Sequence, residues 1–340
     1  MILVTGGTGL LGAHVLHRLL EDGKQVRALH RSAKSLATVR DILRHYAADP
    51  EALMQRIEWV QGDILDIPAM EAAMEGVTDV YHIAATVSFD PKDREFMFKV
   101  NVEGTANVVN LCLEREGVRL CHVSSVAALG RVEGQGMIDE ETAWKDSEWN
   151  SNYGKSKRKA ELEVWRGIAE GLDAVIVNPC IILGPGDWSQ SSAALFTKVW
   201  KGLPYYTEGE NAMVDVRDVA EVMVQLMQDG IFGQRFIVAQ GNHRLHDVVS
   251  LIADGLGKKR PTIKASAAMM ALAWRLEKMR SLMTYSKPFI TRETADNAQH
   301  ISHYENGKLL AALPEFRFRP LEATVKDVCA MFLRSHQTNP

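Results

Sequence analysis

Thr5-Gly6-Gly7-Thr8-Gly9-Leu10-Leu11-Gly12 separates an apolar, strand-like run, Met1–Thr5, from the helix-prone stretch Leu10–Glu21. Its spacing satisfies G-x-G-x-x-G through Gly7, Gly9 and Gly12, and G-x-x-G-x-x-G through Gly6, Gly9 and Gly12. Glycines at such a junction allow a tight turn. They also let a pyrophosphate reach the amides at the helix N-terminus, where the dipole favours an anion. The motif is weak alone, but the strand–turn–helix context is the one it requires. It predicts a dinucleotide site made by Gly6, Gly7, Thr8, Gly9, Leu10, Leu11 and Gly12.

Outward from this turn, strand-like runs recur at Gln25–His30, Ile57–Gln61, Asp79–Ala84, Arg119–Ser124 and Ala174–Asn178. Helical apolar spacing fills Ala69–Glu75, Arg94–Glu114 and Tyr153–Ala169 between them. Such alternation builds right-handed βαβ units around a parallel sheet, so an α/β fold with a doubly wound, Rossmann-type sheet is expected. The alternation stops after Pro179, at the turn cluster Gly184-Pro185-Gly186-Asp187. A nucleotide-binding domain over 1–178 is therefore expected, with Val214–Leu226 and Gln234–Ala239 (about 212–240) returning to it. Residues 179–211 and 241–340 would form a smaller, discontinuous substrate-binding domain.

Composition narrows the function. The 340 residues carry 39 basic against 43 acidic side chains, a net charge of −4, which gives no electrostatic case for nucleic acid or an anionic membrane. Cys112, Cys121, Cys180 and Cys329 are scattered without ligand or disulfide spacing, so no metal site is expected. No leader-like segment precedes the first strand and no run of 18 apolar residues occurs, so a cytoplasmic protein is expected.

The end of the second strand bears on the cofactor. A carboxylate there would hold the ribose hydroxyl of NAD(H); the sequence has His30-Arg31-Ser32 with Lys34 nearby. A guanidinium and a hydroxyl suit a 2′-phosphate, so NADP(H) is expected ahead of NAD(H). Asp63, in Gly62-Asp63-Ile64-Leu65, is placed either to meet the adenine amine or to cap its own loop.

Tyr153 and Lys157 lie one helical turn apart and share a face. A free phenol has a pKa of about 10, and an adjacent cation would favour its phenolate, making Tyr153 an acid–base group. Ser124-Ser125 closes the fifth strand at the sheet edge where α/β proteins bind ligands. Asn101 and Gly104 interrupt a helix for which both are poor formers, which implies another purpose.

Taken together, TGGTGLLG, His82-Ile83-Ala84-Ala85, Asn101-Val-Glu-Gly104-Thr105, Ser124-Ser125, Tyr153-Gly-Lys-Ser-Lys157 and Asn178-Pro179-Cys180 resemble the extended short-chain dehydrogenase/reductases, the NAD-dependent epimerase/dehydratase family. Val26-Arg-Ala-Leu-His-Arg31-Ser32 and Val214-Asp-Val-Arg-Asp218 are most similar to its dihydroflavonol-4-reductase and 3β-hydroxysteroid dehydrogenase branch. The resemblance implies Ser125, Tyr153 and Lys157 as catalytic residues, with Asn101 supporting Lys157 through water. Ser125 is preferred to Ser124 because the family's active serine stands five residues before a glycine, here Gly130. Ala84 and Ala85 would line the cofactor beside Ile64, and Asn178 and Pro179 would cap the nicotinamide. Ser125-Val-Ala-Ala lacks the acidic pair of the sugar dehydratases.

These features imply carbonyl reduction or its reverse on a small-molecule substrate, with nucleotide-sugar epimerisation on tightly bound NAD(P) as the alternative. A non-catalytic dinucleotide sensor fits poorly, since Tyr153 and Lys157 are both kept. Thr86, Phe89, Cys180, Trp188 and Met213, with Tyr206, are candidate pocket walls, although core packing explains the apolar ones equally well. His82 reads as a packed histidine and Lys258-Lys259-Arg260 as a helix end; the Ala268–Met283 stretch could dock on a membrane, but its apolar positions fit an ordinary packed helix better, so no membrane partner is expected. Pairing of the Arg94–Glu114 and Tyr153–Ala169 helices, common in the family, implies a homodimer.

Overall fold

Seven short strands run parallel: β1 (Ile2–Thr5), β2 (Val26–His30), β3 (Ile57–Gln61), β4 (Asp79–His82), β5 (Arg119–Val123), β6 (Ala174–Pro179) and β7 (Gln234–Val238). The computed structural model describes residues 1–130, 136–147, 150–284 and 291–337. The strand order is β7-β6-β5-β4-β1-β2-β3, which reverses direction between β1 and β4. Reversal splays the loops leaving those two strands and opens a crevice at their carboxyl ends.

Both sheet faces are covered, and the pleat divides the strand residues between two cores. Leu3, Val80, Leu120 and Ile176 face one; Val4, Tyr81, Cys121 and Val177 face the other. Helix α1 (Leu10–Glu21) covers the second face. On the first lies α2, a continuous helix made of Arg94–Phe98, Lys99–Glu103 and Gly104–Leu113, packed against α3 (Asn152–Ala169). Helix α4 (Val216–Gln228) returns from the C-terminal part of the chain to pack beside α1. Leu16, Val219, Val108 and Val164 are wholly buried in these layers, each worth about 1.5–3 kcal/mol relative to exposure.

β7 lies at the edge of the main sheet beside β6 and α4 packs beside α1, whereas the residues before them join a different sheet. Glu210–Asp215 pairs with Gly241–Arg244 and Ile181–Leu183 in a separate three-stranded sheet. That small sheet packs on its own core, with Phe196, Ile252, Val325 and Phe332 buried within it.

Helix α5 (Ala267–Thr284) departs from its sequence reading. Met269, Leu272, Leu276, Met279 and Met283 stand 41–80% exposed, whereas Ser281 is buried and Trp274 and Glu277 are half-buried. The helix turns Met270, Ala271, Ala273 and Trp274 inward with Glu277 and Ser281 and leaves the longer apolar stripe outward beside Arg275, Lys278 and Arg280, which periodicity cannot reveal because it does not say which stripe meets the protein.

Candidate active site

The crevice at the β1/β4 reversal is a cleft of about 760 Å³ reached by the ends of all the strands from β1 to β6. Thr8, Gly9, Leu10 and Leu11 form its floor at the N-terminus of α1. Gly9 caps that helix, and among the described residues no side chain caps the first-turn amides. Gly6 adopts φ +71°, and a Cβ there would stand 2.6 Å from the Ala84 amide nitrogen. A Cβ on Gly12 would collide with the Gly6 carbonyl oxygen. The loop is therefore drawn against α1 and against Ala84, leaving a bare backbone cradle that fits a pyrophosphate. Gly7 lies beneath the cradle, against Leu16 and Ala28.

At the far end Arg31 and Ser32 line the cleft with Ser35 and Thr38. Asp63 and Ile64 face them, and Asp63 accepts a 3.0 Å bond from the Leu65 amide, so it lines the cleft while closing its own loop. Lys34 is exposed outside the lining.

The sequence Asn101-Val-Glu-Gly104-Thr105 falls where α2 loosens into a π turn over Lys99–Glu103. Asn101, 1% exposed, accepts from the Thr86 amide at 2.7 Å and donates to the Thr86 carbonyl at 3.0 Å and to Ser156 Oγ at 3.0 Å. Its direct partners are thus the loop after β4 and α3 rather than Lys157. Gly104 makes room for the Ile64 side chain, where a Cβ would clash. Thr105 and Thr5 bond the two ring nitrogens of His82 at 2.9 and 2.8 Å. Burial holds that imidazole neutral, with its pKa pushed down to about 3. His82 is therefore a packed histidine that ties β1 and β4 to α2.

Ser151 caps α3 through the Gly154 amide at 2.8 Å, and Gly154 lets the helix approach the Ala127 carbonyl. This brings Tyr153 to the turn after β5, and Ser125, Tyr153 and Lys157 all line the cleft. Burial raises the phenol of Tyr153 above its ordinary range, and hydrogen bonding with Ser125 partly opposes the rise. Lys157, 2% exposed, donates to the Val123 carbonyl at 2.6 Å. Burial brings its pKa down to about 8, against the pull of Glu161. The ammonium is turned to a strand carbonyl, and burial dominates Tyr153.

Glu161 is the site residue that the sequence reading missed. It continues the Tyr153–Lys157 face by one more turn and is wholly buried. Its carboxylate accepts from Ser124 Oγ at 2.6 Å, Asn178 Nδ2 at 2.8 Å, Arg235 Nη1 at 2.8 Å and Trp165 Nε1 at 3.2 Å. Asn178 Nδ2 also donates to the Ser125 carbonyl at 3.0 Å. The i, i+4, i+8 recurrence of Tyr153, Lys157 and Glu161 was the available signal.

Known proteins share this chain's sequence and architecture. The profile of the NAD dependent epimerase/dehydratase family matches residues 2–239. The chain belongs to that family. Sterol demethylase protein B of Methylococcus capsulatus is 31% identical over 79% of this chain and 78% of its own length. Dihydroflavonol 4-reductase of Zea mays is 24% identical over 74% and 73%. The solved structure of gox2253 superposes with a TM-score of 0.79 at 29% identity, covering 99% of this chain and 98% of that one. The family comprises nicotinamide-dinucleotide enzymes acting on CH–OH and C=O groups, and the reductase among these relatives agrees with the branch that the motifs resemble.

Within this family member the candidate substrate contacts divide. Thr86 and Cys180 line the cleft, as do Val87, Phe96 and Ile182. Phe89 packs edge-on against the Tyr153 ring at 5.9 Å. The Cys180 thiol is inert at neutral pH, since burial pushes it far up and its Sγ meets the Val238 carbonyl at 3.3 Å. Trp188 does not reach the cleft; it packs on Phe196 and Phe332 at 6.1 and 5.0 Å. Met213 is 1% exposed in the same C-terminal core, and the Tyr206 ring lies tilted against His246 at 4.2 Å. Trp188 and Met213 thus belong to that core, and Tyr206 is half-buried outside the cleft lining. Pro179 lines the cleft, whereas Asn178 lies behind it as the brace of Ser125. Among the described residues no cluster of three acidic, His or Cys side chains is arranged for a metal ion.

Proposed function

We propose that this protein is an NADP(H)-dependent oxidoreductase that converts a ketone or aldehyde into an alcohol, or runs the reverse. The observation that carries the reading is Tyr153, a phenol kept protonated by burial, sharing one cleft with Ser125 and the glycine cradle. A bound nicotinamide supplies or accepts the hydride. In the reductive direction Tyr153 gives its proton to the carbonyl oxygen. Ser125 Oγ–H donates to the same oxygen as negative charge builds on it. Lys157, cationic at neutral pH, stabilises the phenolate left behind. Asn101 fixes the Thr86 loop that borders the reacting region.

Arg31 and Ser32, with Ser35 and Thr38 beside them, favour a 2′-phosphate and hence NADP(H). Val87, Phe96 and Ile182 give the cleft an apolar wall suited to a ring-bearing substrate more than to a nucleotide sugar. Exposed Phe96 on α2 and Leu162 on α3 support pairing of these helices between two copies. Light scattering that finds only monomers at micromolar concentration would refute the dimer.

The test is a panel of aromatic, steroid and aliphatic carbonyls assayed by nicotinamide absorbance with NADPH and NADH in parallel. Turnover with NADPH that vanishes in Tyr153→Phe, while cofactor binding persists, supports the reading. A purified protein that carries NAD, consumes no external cofactor and interconverts nucleotide sugars overturns it in favour of epimerisation.

A further inference from the structure

The outward stripe of α5 has an organisation of its own. Met269, Leu272, Leu276, Met279 and Met283 follow one another at intervals of three, four, three and four residues, one continuous seam along the helix. Leu272, Leu276 and Met279 are 59%, 56% and 60% exposed, and Met283 is 80% exposed. Burying such side chains would yield roughly 1.5–3 kcal/mol each, so a seam left in water is unusual for a helix of this length.

The charges decide what covers it. Between Ala265 and Ile290 the sequence holds Arg275, Lys278, Arg280 and Lys287 against the single acid Glu277, in a chain whose net charge is −4. Arg275 borders the seam on one side and Arg280 on the other, and Arg275, Lys278 and Arg280 are exposed. Glu277 is turned partly inward and pairs with Arg280 at 2.6 Å. Two copies zipped through this seam would bring Arg275 and Arg280 against cations of the partner helix, which disfavours self-pairing. An apolar stripe edged by cations is instead complementary to an anionic bilayer, the methionines and leucines entering the acyl boundary and the cations meeting phosphate groups. The helix is about 27 Å long at 1.5 Å per residue, but with charges along it no crossing is feasible, and among the described residues no helix qualifies as a membrane span. It can only lie flat.

We propose that α5 docks this protein reversibly on anionic lipid surfaces through the Met269–Met283 seam. The test is flotation of the full chain with large unilamellar vesicles of phosphatidylcholine alone, or of phosphatidylcholine containing about 30% phosphatidylglycerol. The wild type is expected to float with the phosphatidylglycerol vesicles, to stay behind with phosphatidylcholine alone, and to be released by salt. Leu272→Gln/Leu276→Gln/Met279→Gln should lower the partition coefficient by at least ~100-fold. Arg275→Gln/Lys278→Gln/Arg280→Gln should lower it on the order of 100-fold. Both substitution sets lie on exposed positions outside the cleft, and an unchanged thermal melt and NADPH titration confirm that each variant is folded. Absence of wild-type flotation with the phosphatidylglycerol vesicles overturns the proposal. So does apolar-seam dependence of a dimer in light scattering without lipid binding. Neither outcome touches the reading of the cleft, which carbonyl turnover tests separately.

Discussion

Glu161→Gln probes how the site is held, because the change is nearly isosteric yet removes the charge and turns one accepting oxygen into an NH2 donor. Four donors converge on this carboxylate, from Ser124, Asn178, Arg235 and Trp165. Arg235 is the nearer of its two ion-pair partners, Arg158 lying at 3.8 Å; the Arg235 and Glu161 side chains are 14% and 0% exposed, so solvent does little to screen them. Leaving a buried cation without its anion costs about 3–5 kcal/mol. For 340 residues the unfolding entropy corresponds to roughly 0.7 kcal/mol per degree at the midpoint, so a loss of about 3 kcal/mol lowers Tm by about 4 °C.

The catalytic consequence is separable from that loss. Glu161 raises the Lys157 pKa while burial brings it down to about 8. Removing the carboxylate removes the raising influence, so the ammonium is lost at lower pH. The alkaline limb of kcat/KM for NADPH, which reports the free enzyme, should begin near pH 8 in the wild type and move to lower pH in the variant. Asn178 and Ser124 also lose their anchor, so kcat should fall more than KM for NADPH rises. An unmoved alkaline limb together with an unchanged kcat would show that Glu161 is a structural ion pair with no hold on the reacting groups.

Arg31→Leu should weaken NADPH binding by roughly 10- to 100-fold while leaving NADH nearly unaffected, as read by fluorescence titration of each nucleotide; equal losses would refute the 2′-phosphate assignment. Gly12→Ala places a methyl group against the Gly6 carbonyl, and should weaken NADPH binding about 10-fold or more and lower Tm. Asn101→Ala removes three bonds from a buried amide and should cost about 2–3 kcal/mol in urea unfolding while raising KM for the carbonyl through a loosened Thr86 loop. An Asn101→Ala enzyme with wild-type stability would contradict that account.

The sheet was legible because its determinants are local. Gly6, Gly9 and Gly12 mark a turn that tolerates no side chain, and strands buried on both faces read as short apolar runs such as Ala174–Asn178. Tyr153, Lys157 and Ser125 were visible because one helix and one strand end carry them into the cleft. Glu161 was not, since a glutamate on a polar helix looks solvated until Arg235 arrives from the edge strand, 74 residues later. Trp188 and Met213 were left open between pocket wall and core for the converse reason: loop position does not tell whether another segment covers a side chain, and here the last helix supplies Phe332 to cover Trp188. The outward seam of α5 was likewise beyond periodicity, which finds a stripe without saying what faces it.

The π turn at Lys99–Glu103 also sets how α2 can vary. An extra residue in one turn offsets the phase of everything before it by about 100° relative to everything after it. Phe98, which receives the Lys159 ammonium 5.7 Å from its ring centre, belongs to the leading phase; Gly104 and Thr105, fitted to Ile64 and His82, belong to the trailing one. Deleting Val102 would restore regular hydrogen bonding yet swing one set of partners away from the other. Insertions and deletions should therefore be tolerated elsewhere along this helix's outer surface but not within this single turn, and a deletion scan that found position 102 dispensable would show that the two halves need no fixed offset.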